Sequence, residues 1–238
     1  MTSKVVVAGI GMIPFKKPGQ SDTYPVMAAE AVGLALADAG IGYEAVQQAY
    51  ASYLYADSTA GQRVLYDLGM TGIPVINVHN NCASGSSALY LARQAIASGE
   101  ADIVLAFGFE QMVPGALGEM YTDRPAPLEL FQKTCASVVP EGIPPALRLF
   151  GAAGQAHMQR FGTPLETFAK IRAKASRHAA NNPFAVFRKV VTTEEVMADQ
   201  VMWPGVMTRL MACPPTCGAA AAVLCSEDYA KRHGLDTR

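Results

Sequence analysis

Among the five cysteines of the 238-residue chain, Cys82 stands in the sequence context best suited to chemistry. It follows the apolar segment 74–78 and precedes a run of small residues, 83–88, that is typical of a helix start. The backbone N–H groups and the positive dipole end at a helix N-terminus favour a thiolate, which is the nucleophilic form of cysteine. The pattern therefore predicts a covalent nucleophile, although a buried cysteine in a tight turn would produce the same local sequence.

His79 is the nearest residue that could act as a general base for this thiol. It stands three residues before Cys82, and an imidazole changes its protonation state near neutral pH. Side chains so close together in one loop seldom point at the same atom. A solvated or hydrogen-bonded loop histidine is therefore the alternative interpretation.

Two other motifs give weaker predictions. Gly9 and Gly11 follow the first predicted strand as in a dinucleotide-binding turn, but Pro14 occupies the third glycine position and has no N–H. A tight turn after a strand is the better interpretation. The cysteines at 213, 217 and 225 do not have the spacing of common zinc ligand pairs, so we interpret them as small buried thiols. We therefore predict neither a metal nor a bound cofactor.

The elements that position these residues alternate between strands and helices. Five apolar segments are predicted to be strands, at residues 4–8, 48–53, 74–78, 103–107 and 219–225. Helical patterns separate them, which predicts an α/β fold with a mostly parallel five-stranded sheet and helices on both faces. Proline-rich sequence without clear periodicity begins near residue 113. We therefore expect residues 1–112 and 206–238 to form the α/β domain, and residues 113–205 to form an inserted helical loop subdomain.

Several helix ends can be predicted from capping residues. Gly40 is placed to adopt the left-handed conformation that ends the first helix. Thr163 stands before Pro164 and three residues before Glu166, so it predicts a helix N-cap. Thr192 with Glu195 gives the same signal, and Ser226 predicts the cap of a last helix.

Composition and charge exclude several classes of function. The chain has 19 basic and 20 acidic residues and is 50% hydrophobic, so neither nucleic acid nor an anionic membrane is an expected partner. No segment is apolar over the length of a membrane-spanning helix. The odd number of scattered cysteines indicates reduced thiols. We expect a cytoplasmic protein.

The segment 72–86, GIPVINVHNNCASGS, strongly resembles the nucleophilic-cysteine region of thiolases of the sterol-carrier-protein type. The resemblance extends to residues 57–63, 105–112, 150–158 and 181–183. It implies an acyl-CoA C-acyltransferase in which Cys82 accepts the acyl group of a 3-oxoacyl-CoA, acetyl-CoA leaves, and coenzyme A resolves the acyl-enzyme. Coenzyme A is then a substrate, and no other cofactor is implied. The inserted subdomain would embrace it, with Phe150 and Gly151 near the acyl end, whereas a core position is the alternative for Phe150.

The resemblance covers only the N-terminal half of a thiolase. The second-half Gly-His-Pro histidine, the Asn-Glu motif and the second catalytic cysteine have no counterpart here, and Cys217 and Gly218 replace the Ser-Asp of a Ser-Asp-Gly turn. This implies a partner that supplies a C-terminal half, contacted through Ala88, Leu89 and Ala92.

Other partners follow from the same resemblance. A homodimer or larger assembly is expected, with segment 74–78 at the sheet edge, together with acyl-CoA or coenzyme A as small-molecule partner. A peroxisomal location stays open if the chain is a piece of a longer protein. The alternative function is a non-catalytic acyl-CoA-binding or lipid-binding protein, or an assembly subunit.

Overall fold

The computed structural model describes residues 4–115, 121–135, 139 and 142–237. The chain divides into two compact units, the first formed by residues 1–113 and 216–238 and the second by residues 114–215. The strands are β1 (Val5–Met12), β2 (Gln48–Ser52), β3 (Val75–Val78), β4 (Ile103–Glu110), β5 (Val201–Trp203), β6 (Met207–Thr208) and β7 (Gly218–Ser226). The α-helices are α1 (Tyr24–Ala39), α2 (Ala60–Leu65), α3 (Ser84–Ala97), α4 (Glu129–Cys135), α5 (Pro145–Phe161), α6 (Leu165–Ala180), α7 (Thr193–Ala198) and α8 (Glu227–His233).

The first unit contains one five-stranded sheet with the order β1-β7-β4-β2-β3. β2 pairs in parallel with both β3 and β4, whereas β7 pairs antiparallel with β1 and with β4. Four strands therefore run in one direction and β7 runs against them, which confirms the predicted α/β sheet and defines it as mixed. The expected edge position of the 74–78 segment is also confirmed, because β3 ends the strand order.

The glycines of β1 let helix α1 approach the sheet closely. A Cβ at Gly9 would lie 2.3 Å from the carbonyl oxygen of Ala35, and one at Gly11 would lie 2.1 Å from that of Ala31. The interpretation of Gly9 and Gly11 as a tight turn was wrong, because both lie inside β1. Gly40 ends α1 in the left-handed conformation, as predicted.

The predicted N-caps of the helices are confirmed in two places and wrong in a third. Thr192 and Glu195 form a reciprocal capping box at α7, and the Ser226 hydroxyl accepts a hydrogen bond at the start of α8. Helix α6, however, begins at Leu165 with Pro164 as its N-cap and no side-chain cap. Thr163 therefore lies one residue too early to accept a hydrogen bond from the first turn.

The two faces of the sheet are covered by different helices. α1 and α2 share one core with the strands, and α3 packs on the opposite face in a second core that includes Tyr50 and Ile96. Ala88 and Ala92 are buried in that second core. The expectation that they contact a second thiolase half is wrong, since both face their own sheet, whereas Leu89 is 44% exposed.

The second unit contains helices α4 to α7 and the antiparallel pair β5 and β6. Trp203 and Met207 lie in one small core with Ile143 and Val206, while Ala169 of α6 packs with Val191 and Val196 in another. In neither unit does the described part of the chain contain a helix long and apolar enough to cross a membrane.

Candidate active site

Cys82 lies beyond the carboxyl end of β3, at the edge of the sheet where three parallel strands end together. Ser52 of β2 is paired with Val78 of β3 and with Gly108 of β4. The residues that follow these strand ends therefore gather at one edge, which is where open α/β sheets bind ligands. Cys82 is exposed there, two residues before α3 begins. The alternative of a buried cysteine in a turn is wrong.

A hydrogen-bonded turn fixes the backbone on either side of Cys82. Asn81 has a φ of 46°, in the left-handed region that asparagine tolerates better than most residues. The buried Ser84 hydroxyl donates to the Asn81 carbonyl at 2.7 Å and accepts from the Asn80 N–H at 2.8 Å. The Ala83 N–H donates to the Asn80 carbonyl at 3.0 Å. Cys82 thus stands at the tip of a defined turn that leads into α3.

His79 lies at the same edge but is engaged with an aromatic ring. Its imidazole is exposed and meets the Tyr53 ring edge-on, with the ring centroids 4.5 Å apart. Tyr53 also stacks on Phe109 at 5.0 Å, and its hydroxyl donates to the Asp57 carbonyl. Within the described residues, His79 makes no hydrogen bond to Cys82. The fold brings the two residues to one edge, with the imidazole oriented by its contact with Tyr53.

Glu110 is a site residue that the sequence reasoning missed. At the end of β4, its carboxylate accepts hydrogen bonds from the N–H groups of Leu54 and Tyr55, each at 3.0 Å. Burial raises the pKa of Glu110, and these backbone bonds oppose the shift. Burial raises the pKa of Tyr55, and the negative charges of Glu110 and Cys82 raise it further. An acidic residue closing an apolar strand was the only available sequence signal.

Phe150 and Gly151 lie together in the second unit. They line a groove with a volume of ≈ 320 Å³, and the Phe150 side chain is 68% exposed. The alternative of a core position for Phe150 is therefore wrong. Gly151 is buried, and a Cβ at this position would lie 2.6 Å from the Trp203 ring. Glycine is thus required there for α5 to pack on the indole.

The other thiols differ in exposure. Cys217 is buried and donates from Sγ to the Met112 carbonyl at 3.4 Å, and burial raises the pKa of the Cys225 thiol. Cys213 is exposed, so the prediction of three buried thiols is wrong for this residue. The side chain of Cys135 lies outside the described part of the structure. The described residues contain no cluster of three or more side chains suited to a metal ion.

Comparison with known proteins relates this arrangement to one family. Residues 5–228 match the family model of the thiolase N-terminal domain. The chain is 46% identical to sterol carrier protein 2 of Oryctolagus cuniculus over 243 residues, which cover 99% of this chain and 44% of that protein. It is 41% identical to the non-specific lipid-transfer protein-like 2 of Caenorhabditis elegans over 241 residues, 97% of this chain and 57% of that protein.

Solved structures show the same fold. The chain superimposes on the structure titled Ltp2-ChsH2(DUF35) aldolase with a TM-score of 0.77 and 23% identity, over 98% of this chain and 57% of that one. The chain spans about half the length of the curated relatives it matches. With a family match over almost its whole length, the chain belongs to the thiolase family, in which it corresponds to the N-terminal domain.

Proposed function

We propose that this chain is the nucleophile-bearing part of a thiolase-type acyl-CoA C-acyltransferase. The Cys82 thiolate attacks the ketone carbon of a 3-oxoacyl-CoA, and the bond between C2 and C3 breaks. The acyl group stays on sulfur as a thioester, while the C2 carbanion takes up a proton and leaves as acetyl-CoA. The thiolate of coenzyme A then attacks the thioester, which forms the shortened acyl-CoA and frees the Cys82 thiolate.

One observation carries this proposal: the fold exposes Cys82 at the start of a 14-residue helix in a thiolase N-terminal domain. Glu110 holds the Tyr53-to-Tyr55 segment against the same edge. We assign Cys82 as the catalytic residue and His79 as a substrate contact, with Phe150 and Gly151 as contacts to the acyl group. Coenzyme A enters as substrate, and no further cofactor is proposed.

A partner is part of the proposal. General acid and base groups contribute about 10²- to 10⁴-fold to such rates, and one oxyanion donor contributes about 10²- to 10³-fold. We expect a C-terminal thiolase segment, in the same protein or in another chain, to supply them. β3 is an edge strand of the five-stranded sheet, and an edge strand favours pairing with a second copy in a homodimer.

The experiment follows acyl transfer to sulfur in the 238-residue chain. Incubation with acetoacetyl-CoA, followed by intact mass measurement and peptide mapping, is expected to show one acetyl group on Cys82. Cys82→Ala is expected to abolish this adduct, and Cys213→Ala is the matched control because it removes another exposed thiol. Equal labelling of Cys213, or no label on Cys82, would contradict the proposal. Rapid multiple turnover by the chain alone would contradict the need for a partner.

The second candidate is a binding protein without catalysis. A relative named as a non-specific lipid-transfer protein and the apolar groove beside Phe150 favour it. The fold alone does not decide between the two, because one fold carries different activities. Binding of decanoyl-CoA that persists in Cys82→Ala, combined with no acylation of the unaltered chain, would favour this second function.

A further inference from the structure

The groove of the second unit is built from two helices and the segment that follows β5. α5 contributes Gly151 and Gly154 to its wall, and α6 contributes Phe168 and Ile171. Met207 and Met211 complete the apolar lining. At ≈ 320 Å³ the groove reaches the size of small-molecule sites, which are mostly apolar and carry a few polar groups.

Gly154 keeps this groove open. A Cβ built on this residue would have no neighbour nearer than the Phe168 ring, at 4.0 Å. The space beside it is therefore unfilled, in contrast to Gly151, whose Cβ would clash with Trp203. A larger side chain at Gly154 fits the backbone, because glycine is not required there, and it would project into the groove.

Arg172 gives the groove its charge. It is the only charged residue among the described lining residues, and it is half-buried. Its Nε donates to the Leu210 carbonyl at 3.0 Å, which fixes the guanidinium plane. No carboxylate in the described part of the chain pairs with it. The remaining N–H groups of this guanidinium lie at an apolar groove. They are suited to a ligand carboxylate, which can accept two parallel hydrogen bonds from a guanidinium.

We propose that this groove binds an apolar molecule that bears one carboxylate. The chain of the ligand lies against Gly154, Phe168 and Ile171, and its carboxylate accepts hydrogen bonds from Arg172. At about 30 Å³ for each water-sized group, the groove holds a chain of about ten such groups. The groove includes Phe150 and Gly151, which are proposed above as contacts to the acyl group, so the inference deepens that assignment by adding a carboxylate contact at Arg172. It requires neither Cys82 nor acyl transfer, and it can therefore fail or hold independently of the catalytic proposal.

Calorimetric titration of the 238-residue chain with decanoate and with decanol below their aggregation limits tests the site. Arg172→Met is expected to weaken decanoate binding about tenfold or more, because hydrogen bonds to charged groups contribute at that level, and to leave decanol binding unchanged. Gly154→Leu is expected to remove binding of both ligands. Lys174→Met is the matched control, because it removes an exposed cation from the same helix outside the groove. Cys82→Ala is expected to bind decanoate normally, which separates this site from the acyl-transfer proposal.

A second arm identifies the source of the carboxylate. Decanedioyl-CoA carries a free carboxylate at the far end of its acyl chain, and decanoyl-CoA does not. If the groove binds the free-carboxylate end of an acyl-CoA, Arg172→Met weakens the binding of decanedioyl-CoA and leaves the binding of decanoyl-CoA unchanged. Free decanoate then competes with decanedioyl-CoA. Arg172→Gln replaces Arg172→Met if the latter fails to fold, and Gly154→Leu tests the groove independently. The proposal is overturned if decanoate and decanedioyl-CoA both bind without regard to Arg172 and Gly154, if neither binds, or if Lys174→Met has the same effect as Arg172→Met.

Discussion

The turn that presents Cys82 depends on one buried hydroxyl, so Ser84→Ala is a direct perturbation of the site. The Ser84 Oγ accepts from the Asn80 N–H and donates to the Asn81 carbonyl. The Asn81 carbonyl keeps a partner after the change, because it also accepts from the Ser84 N–H at 3.1 Å. Ser84→Ala removes the hydroxyl that accepts the hydrogen bond from the Asn80 N–H.

The expected cost follows from that one unpaired group. A backbone N–H left without a partner in a partly buried site costs roughly 1 to 3 kcal/mol. The Ser→Ala change in a helix returns a few tenths of a kcal/mol, about 0.5 at most, through higher helix propensity. We therefore expect a net loss of about 1 to 2 kcal/mol in the free energy of unfolding. The turn should also loosen, with slower and less selective alkylation of Cys82.

Ser86→Ala provides the matched control, because Ser86 lies in the same helical turn and is exposed, and its hydroxyl makes no hydrogen bond among the described residues. Urea denaturation of the two variants and of the unaltered chain gives the difference in stability, and peptide mapping after iodoacetamide treatment gives the rate at Cys82. If Ser84→Ala and Ser86→Ala unfold at the same urea concentration, the hydroxyl does not hold the turn and the reasoning fails.

Three other predictions concern the thiols, the packing of β1 and the buried carboxylate. Iodoacetamide near neutral pH should label Cys82 faster than the equally exposed Cys213, because only Cys82 precedes a long helix; peptide mapping that gives equal rates would remove the claim of activation. Gly11→Ala should destabilise the chain by about 1 to 3 kcal/mol or more, because its Cβ would press on the backbone of α1, whereas the control Gly33→Ala should stabilise it by about 0.5 to 1 kcal/mol in urea denaturation. Burial raises the pKa of Glu110 above its usual 4.5, so the folded chain binds this proton more tightly than the unfolded chain does. The stability of the unaltered chain relative to Glu110→Gln should therefore fall as the pH rises above 4.5 and level off once Glu110 is ionised; denaturation curves across this range with a rising difference would contradict the assignment.

Local sequence was enough to select Cys82 as the candidate nucleophile and to predict most of the elements. The run of small residues after Cys82 indicated a helix, and capping at Thr192 and Ser226 depends on residues only three apart, so both can be read without knowledge of the fold. The resemblance around residues 72–86 likewise depends on one continuous segment. Such features can be predicted from the sequence because the interactions that form them join residues that are close together along the chain.

Tertiary structure decided everything that depends on register and packing between distant segments. β7 enters between β1 and β4 against their direction after more than a hundred intervening residues, and no local pattern encodes that pairing. The parallel register of β2 and β4 lets the Glu110 carboxylate accept hydrogen bonds from the N–H groups of Leu54 and Tyr55, which are 56 and 55 positions away. The exposure of Phe150 was equally out of reach, because burial is fixed by which neighbours a side chain meets and not by its own hydrophobicity. The sequence alone thus selected Cys82 as the candidate for acyl transfer, whereas the assembled sheet decided which groups surround it.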